Sequence, residues 1–386
     1  MSKKNIRNVL MVTGVYFPEV NGAILQCMKV VSILKSKVNF SVLTTTKYKE
    51  FIDYNVIDDV DIFRLYIGNI IAKFFQMFKI FWIFIIKRFD IVHLHGFSYR
   101  SALILLISKL FNKKIIIKMT SYGHDDAISI ANKNRLFFYI FSLADAYIGV
   151  SPIFKKMYYH TGMDRNKYYQ ISNGVDTGLF KPLGDNEDKN KIRSDLGLPS
   201  NIQLILIVGH FSIEKSANHV LDALIKLQKE ISNKLGVVFI GSTNDHDFEV
   251  DKDLVDLMFS KSKEVRGKVF FVESTSNIEK YYQAVDMYVL PSAREGLPNA
   301  LLEAMSCSLP VLSTRLTGIT EWFITHNSNG LMYDYGDIDT LAKLLKLLLK
   351  NKNLRDQLGH NARSTIVKNF DISLTTKKIY KVYDEL

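Results

Sequence analysis

Residues 291–310 read PSAREGLPNALLEAMSCSLP, directly after the apolar run Met287–Leu290 (MYVL) and directly before Val311–Ser313 (VLS). The run MYVL is short, continuous and bounded by turn residues, as a strand buried on both faces is. A turn carrying Gly296 and Pro298 follows, and a helix starts near Pro298, where proline fits the first turn. A helix start aims backbone N–H groups and a partial positive charge at whatever lies ahead of it, which suits a phosphate. Glu295 lies just before that helix and Glu303 inside it, with seven residues between them. The spacing predicts one carboxylate at the mouth of a site and one deeper. A carboxylate can accept two hydrogen bonds from the vicinal hydroxyls of a ribose or hexose, and a carboxylate pair also suits general acid/base work.

The same strand–turn–helix alternation extends outward in both directions. Behind the segment lie apolar runs at Leu204–Val208, Val237–Ile240 and Val269–Val272, with helical stretches at Asn218–Ile231, Ile278–Ala284 and Asn299–Cys307. In the front half, Val9–Thr13, Phe40–Thr44, Asp61–Leu65, Ile91–Leu94, Ile115–Lys118, Ala146–Val150 and Tyr168–Ile171 read as strands, and Leu25–Lys35 and Ser101–Phe111 as helices. Such alternation predicts parallel sheets with helices on both faces. The polar stretch Gly184–Lys191 (GDNEDKNK) interrupts the pattern and reads as a linker. The expectation is therefore an α/β chain of two Rossmann-like domains, 1–183 and 192–370, joined by 184–191. They face each other across a deep cleft, because open α/β sheets bind ligands at the carboxyl ends of their strands. Asp339–Asn351 and Leu374–Tyr383 read as helices, and the C-terminal helix, 371–386, is expected to cross back to the first domain.

Composition agrees with a two-domain globular chain. The 386 residues are 47% hydrophobic and 23% charged, and at roughly 150 residues per domain two or three domains are expected. Two cysteines, Cys27 and Cys307, cannot build a disulfide framework or a cysteine-rich zinc site, which suits a reduced compartment. The charge is uneven: residues 1–182 carry 25 Lys and Arg against 12 Asp and Glu, and residues 183–386 carry 25 against 27. A basic front half suits an anionic lipid, a nucleic acid or a phosphorylated substrate, or reflects a lysine-rich composition alone. The apolar run Val9–Val12 is too short for the core of a secretory leader. Ile70–Phe89 (IIAKFFQMFKIFWIFIIKRF) is too interrupted to span a membrane. With Lys73, Gln76 and Lys79 recurring every three residues, it reads either as an amphipathic helix that lies in an anionic lipid interface or as a core helix.

Five ordered landmarks resemble the retaining GT-B glycosyltransferases of family four. They are GVYFPEVNGA at 14–23, IVHLHGFS at 91–98, ISNGVDTGLFKP at 171–182, the Glu295–Glu303 segment with LPVLST after it, and NGLMYDYGD at 329–337. The resemblance implies a GT-B enzyme that moves a sugar from a nucleotide-diphosphate donor, UDP- or GDP-linked, to an acceptor hydroxyl without a metal or other cofactor. It implies that Glu303 holds the ribose and Glu295 the donor sugar. Backbone groups of Gly296, Leu297, Asn299 and Ala300 would then meet phosphate or sugar oxygens. Gly22 and Ala23 would approach the diphosphate, His95 would bond the transferred sugar, and Lys215 would stabilise the leaving diphosphate. Tyr122, His124 and Asp125, after a strand, are candidates for the acceptor side. The setting it implies is surface polysaccharide or glycolipid assembly, in the cytoplasm or peripheral on the inner face of the membrane. The partners would be a saccharide or lipid-linked acceptor and an anionic membrane surface met through residues 70–89, with no nucleic acid.

Three positions depart from the family pattern. His210 stands where an Arg is usual, Ser216 where a Gly is usual, and Asn21-Gly22 where two glycines are common. A neutral His carries no charge and cannot act as a bidentate guanidinium. Lowered activity, a substitute cation or a protonated His210 would each follow from that. Two other readings stay open: a sugar-nucleotide epimerase on the same fold, and a non-catalytic partner subunit. The segment Gly209–Ser216 is a near miss for a phosphate-binding P-loop, with Glu214 in a glycine position. His93 and His95 share one face of a strand, which raises a metal site with His124, Asp125 or Asp126 as a minor alternative.

Overall fold

The structure, a computed structural model, describes residues 6–17, 22–48, 54–67, 70–184, 187–230, 234–243 and 250–386, with the backbone alone at 23 and 70–75. The expectations placed on Asn21, on the loop at 18–20 and on the Asp245/Asp247 pair lie outside these residues. The chain divides into two compact units, Met1–Gly174 with Ile372–Leu386, and Val175–Asp371.

The first unit runs β1 (Arg7–Val12), α1 (Gly22–Leu34), β2 (Val38–Thr46), β3 (Asn55–Ile57), β4 (Val60–Tyr66), α2 (Ile70–Ile86), β5 (Ile91–His95), α3 (Tyr99–Leu110), β6 (Lys114–Met119), α4 (Ala127–Lys133), α5 (Arg135–Ser142), β7 (Ala146–Gly149), α6 (Pro152–His160) and β8 (Tyr168–Gln170). Its described strands form a sheet of order β3-β4-β2-β1-β5-β6-β7-β8. Pairing is parallel except for β3, which returns antiparallel on β4. The second unit runs α7 (Lys189–Asp195), β9 (Gln203–Val208), α8 (Asn218–Leu227), β10 (Leu235–Ile240), α9 (Lys252–Ser262), β11 (Lys268–Val272), α10 (Ile278–Ala284), β12 (Met287–Leu290), α11 (Asn299–Ser306), β13 (Val311–Thr314), β14 (Leu331–Tyr333), α12 (Ile338–Lys350) and α13 (Lys352–Asn369). Its sheet, β11-β10-β9-β12-β13-β14, is parallel throughout the described residues. The last helix, α14 (Ile372–Glu385), belongs to the first unit.

Central strands such as β7, β10 and β12 are buried at every position. This is why they read as unbroken apolar runs rather than as alternating ones. One face of the first sheet is covered by Ile24, Cys27, Val30 and Val31 of α1 and by Ile379, Val382 and Tyr383 of α14. The expected crossing back of the C-terminal helix is present.

The passage between units falls at Gly174–Val175, ahead of the expected linker, so residues 175–183 join the second unit. The physical reason is local. Val175 N–H donates to Phe370 C=O at 2.8 Å, and Phe180 packs edge-on against Tyr282 at 5.8 Å. On the other side of the passage, the Gln26 side chain brackets the Gly174 peptide with bonds of 2.9 and 3.1 Å. A Cβ at Gly174 would lie 2.6 Å from Ile372 Cα, so a side chain there would push α14 off its seat.

Candidate functional site

In the second unit, β9 is hydrogen-bonded to both β10 and β12. The order of the sheet therefore reverses between β9 and β12, the point where open α/β sheets place their ligands. The loops that leave these two strands are 209–217 and 291–298, and they hold most of this unit's candidate residues. Glu214 C=O accepts from Ala293 N–H at 2.8 Å, and the Glu214 carboxylate pairs with Arg294. Glu214, read from the sequence as a repulsive charge in a near-miss P-loop, is neutralised by this guanidinium and ties the two loops together.

Within this frame Lys215 Nζ donates to Glu295 Oε1 at 2.7 Å, the lysine side chain one-third exposed and the glutamate 8% exposed. The lysine stem passes over Gly209, whose hypothetical Cβ would lie 3.7 Å from Lys215 Cδ. Gly241, at the end of β10, lets the loop cross. A Cβ there would sit 2.1 Å from Gly209 O. Ser216 takes φ +48°, the left-handed conformation in which glycine is free of strain. Its hydroxyl bonds to Ile213 O at 2.6 Å and lies 3.0 Å from Tyr335 OH. These bonds hold a non-glycine residue in a glycine conformation. His210 is half-buried at the start of the loop, and its carbonyl accepts from Ser212 N–H at 2.9 Å.

The helix after Glu295 begins at Asn299, with Pro298 as its N-cap and no side-chain cap. Proline thus precedes the first turn instead of occupying it. Gly296 is half-buried and Leu297 buried in the turn, and Asn299 and Ala300 form the first turn. Glu303 is 8% exposed and Glu295 9%. The expected contrast between a carboxylate at the mouth and one deeper is not found, since both are buried alike. Tyr282 OH lies 3.2 Å from Glu303 Oε2 and 3.1 Å from Ala300 O. Burial, then the charges of Glu295 and Glu303, push the Tyr288 phenol well above its usual range. Both acids therefore lie near Tyr288. Sequence reasoning missed Tyr282 and Tyr288, which lie on α10 and β12 and meet the acids only through packing.

The first unit places its candidates at the carboxyl ends of its own strands. Gly22 and Ala23 open α1, with Gly22 exposed. His95 ends β5, and both of its ring nitrogens are buried without a hydrogen-bond partner among the described residues. Burial first, then the charges of His93 and Lys118, hold its pKa well below the usual histidine value. Tyr122 is half-buried and His124 exposed. Asp125 does not face outward with them. It is 5% exposed and accepts from Thr120 N–H at 3.0 Å, Thr120 Oγ1 at 2.9 Å and Ser121 N–H at 2.8 Å. Asp126 caps α4 through Ser129 N–H at 2.9 Å. These two acids shape the 120–126 turn. Among the described residues no group of three or more His, Cys, Asp or Glu is arranged to hold a metal ion.

Comparison with known proteins identifies the family. Residues 34–179 match the family described as Glycosyltransferase Family 4, and residues 188–365 match Glycosyl transferases group 1. The chain belongs to the family four, group 1 glycosyltransferases. It is 23% identical over 302 residues to the N-acetyl-alpha-D-glucosaminyl L-malate synthase of Bacillus anthracis, covering 78% of this chain and 74% of that one. It is 27% identical over 226 residues to the UDP-Gal:alpha-D-GlcNAc-diphosphoundecaprenol alpha-1,3-galactosyltransferase of Escherichia coli, covering 58% and 56%. Its fold is similar to that of Anabaena HepE, solved with UDP and glucose, at TM-score 0.78 and 16% identity over 98% of this chain and all of that one. Both units of this family four chain thus carry the α/β architecture of GT-B enzymes.

Proposed function

We propose that this glycosyltransferase takes a nucleotide-diphosphate sugar in its second unit and transfers the sugar with retention to an acceptor held by its first. The observation that carries the reading is the Lys215–Glu295 pair at the β9–β12 switch point, with buried Glu303 in the helix behind it. Glu303 accepts the two ribose hydroxyls, Glu295 bonds the donor sugar, and the start of α11 receives oxygens of the donor. Departure of the diphosphate builds negative charge, which Lys215, already fixed by Glu295, meets without reorganising. Arg294, on the facing loop, is tied to Glu214, four residues after His210 in the loop that lacks the usual guanidinium. The leaving diphosphate takes the acceptor proton on the same face from which it departs, so the protein contributes positioning and charge. No metal enters this scheme.

The Escherichia coli relative's name specifies a UDP-galactose donor and a diphosphoundecaprenol-linked acceptor, and Anabaena HepE was solved with UDP. These support a UDP-sugar donor and a lipid-linked acceptor here, in polysaccharide or glycolipid assembly. A second observation supports a membrane-proximal acceptor. Met77, Phe78, Phe81, Trp82, Ile85 and Ile86 form one exposed face of α2, with Phe78 and Trp82 each 61% exposed. Among the described residues no helix is long and apolar enough to cross a membrane.

The test is thermal shift and calorimetry with UDP-, GDP- and ADP-sugars, with and without EDTA. One donor class should raise the melting temperature, unchanged by EDTA. Glu303→Ala should weaken donor binding by ~1.5–3 kcal/mol, the value of hydrogen bonds to a charged group, or about 10- to 150-fold. Undiminished binding by this variant ends the reading. Conversion of the donor without any acceptor would indicate an epimerase, and binding without turnover a partner subunit. The anomeric configuration of the product, read by NMR, decides retention.

A further inference from the structure

Lys118 is 2% exposed, and among the described residues its ammonium has no carboxylate or hydrogen-bond partner. It lies near the end of β6, directly opposite His95 on β5. Residues paired in this way point to the same face of a sheet. His95 brings two buried ring nitrogens that also have no hydrogen-bond partner. The His93 ring, 4.6 Å from that of His95, is held from behind by Tyr383 OH at 2.7 Å. The buried Cys27 thiol of α1 lies near Lys118. Asp125, at the same end of the sheet, spends both oxygens on Thr120 and Ser121 and leaves the lysine uncompensated.

A buried ammonium without a counter-charge is costly, and such groups survive in proteins when they are paired or neutralised. Burial pushes the Lys118 pKa down from 10.5 to about 8, so the side chain is still mostly cationic at neutral pH. A cation and an imidazole, both unsatisfied, side by side at the carboxyl ends of β5 and β6, stand where open α/β sheets take ligands.

We propose that Lys118 and His95 form a pocket in the first unit for an anionic group, a phosphate or a carboxylate, carried by a substrate. The ammonium supplies the charge and the neutral His95 ring a directed N–H. In the donor reading above the diphosphate is received in the second unit; this anion is then the acceptor's, a phosphorylated or acidic saccharide or lipid, and His95 meets the acceptor instead of the transferred sugar. That assignment to the acceptor rests on the donor reading above; the pocket does not.

The experiment uses the full chain with ¹⁵N-labelled histidine in a Lys215→Met background, which removes the lysine of the second unit's site. Inorganic phosphate and, separately, succinate are titrated while the His93 and His95 imidazole signals are followed. At least one anion should give a saturable shift of this pair. Phosphate acting alone identifies a phosphoryl group, and succinate acting alone a carboxylate. Lys118→Met keeps the volume and removes the uncompensated charge. It should melt at the same temperature or higher, and its histidine response should be at least tenfold weaker. An unchanged response in folded Lys118→Met, no response to either anion in the parent, or a fall in melting temperature on Lys118→Met would each overturn the proposal. Failure of the donor reading shows separately, as nucleotide binding that survives Glu303→Ala.

Discussion

His93 is fully buried, and burial, with the nearby Lys118 charge, drives its pKa from 6.5 to about 3. The unfolded chain accepts a proton here that the folded chain refuses. A folded-state pKa depressed in this way gives stability that is complete above pH 6.5 and is lost as pH falls toward 3. Asp125 works in the opposite sense. Burial raises its pKa from 3.8 to about 6 despite the hydrogen bonds it accepts, so its contribution is greatest below 3.8 and is lost as pH rises through 6. The difference between parent and His93→Gln isolates the histidine. Urea midpoints taken from about pH 6 to 4 should show the parent losing ~1 kcal/mol per pH unit more than the variant. Parallel curves would mean that His93 is not held neutral. At this scale the placing of Glu295 before a helix start and Glu303 inside that helix was legible because its signal is local, a turn and a fixed spacing; Lys215 came from the resemblance alone. Ser216 was visible as a departure, but its φ of +48° and its Tyr335 contact were not. Lys118 carried no signal at all, because its meaning comes from the register that sets it opposite His95.

Elements were legible in proportion to their burial. The fully buried strands β7, β10 and β12 announce themselves as apolar runs. Strand β3 did not, being three residues long and largely exposed. It turns into β4 through Asp58 and Asp59, at φ +51° and +67°, as a two-residue hairpin turn requires; an Asp-Asp pair is a weak signal for it. Helix α2 was found, with its orientation left open between lipid and core. Two of the three stripe positions point back at the protein, as Gln76 donates to Tyr66 O and Lys79 Nζ to Arg64 O at 3.1 Å; Lys87, after the helix, pairs with Asp61 at 2.6 Å. The Lys73 side chain lies outside the described residues. Helix α14 shows how far an element can be from the core it completes. Its Ile379, Val382 and Tyr383 fill the face of the first sheet, and Thr375 Oγ1 donates to Ser172 O at 3.1 Å. Ending the chain at Asp371 should therefore open the first unit and spare the second. Limited proteolysis with mass spectrometry should find early cuts concentrated before Gly174, and equal cutting in both units would refute the dependence. Tyr383→Phe, which removes the hydroxyl's bonds to His93 Nδ1 and Met11 Sδ, should cost ~1 kcal/mol.

For the whole molecule, the uneven charge and the greasy helix are separate facts that bear on the membrane-proximal setting proposed above. The first 182 residues carry a net +13 and the remainder −2, and the apolar face of α2 belongs to the basic part. Exposed apolar faces of this kind are rare on proteins that meet only water. Aromatic rings inserted at a lipid interface, supported by basic residues near anionic headgroups, give reversible attachment. Because Lys79 and Lys87 are engaged with β4, the rings rather than the helix's own lysines should supply most of the binding. Flotation with vesicles of mixed anionic and zwitterionic lipid should recover the parent chain. Phe78→Glu with Trp82→Glu should abolish recovery without lowering the melting temperature, since neither side chain is in the core. Replacing Arg88 and Lys114, both exposed, with Ala should weaken binding more modestly, by about 1 kcal/mol for each basic residue near the surface. Raising the salt should mimic that loss, because it screens exposed charges and leaves apolar insertion intact. Recovery by vesicles that is indifferent to the Phe78 and Trp82 changes would leave the apolar face without this role, and equal recovery on purely zwitterionic lipid would remove the basic residues from it.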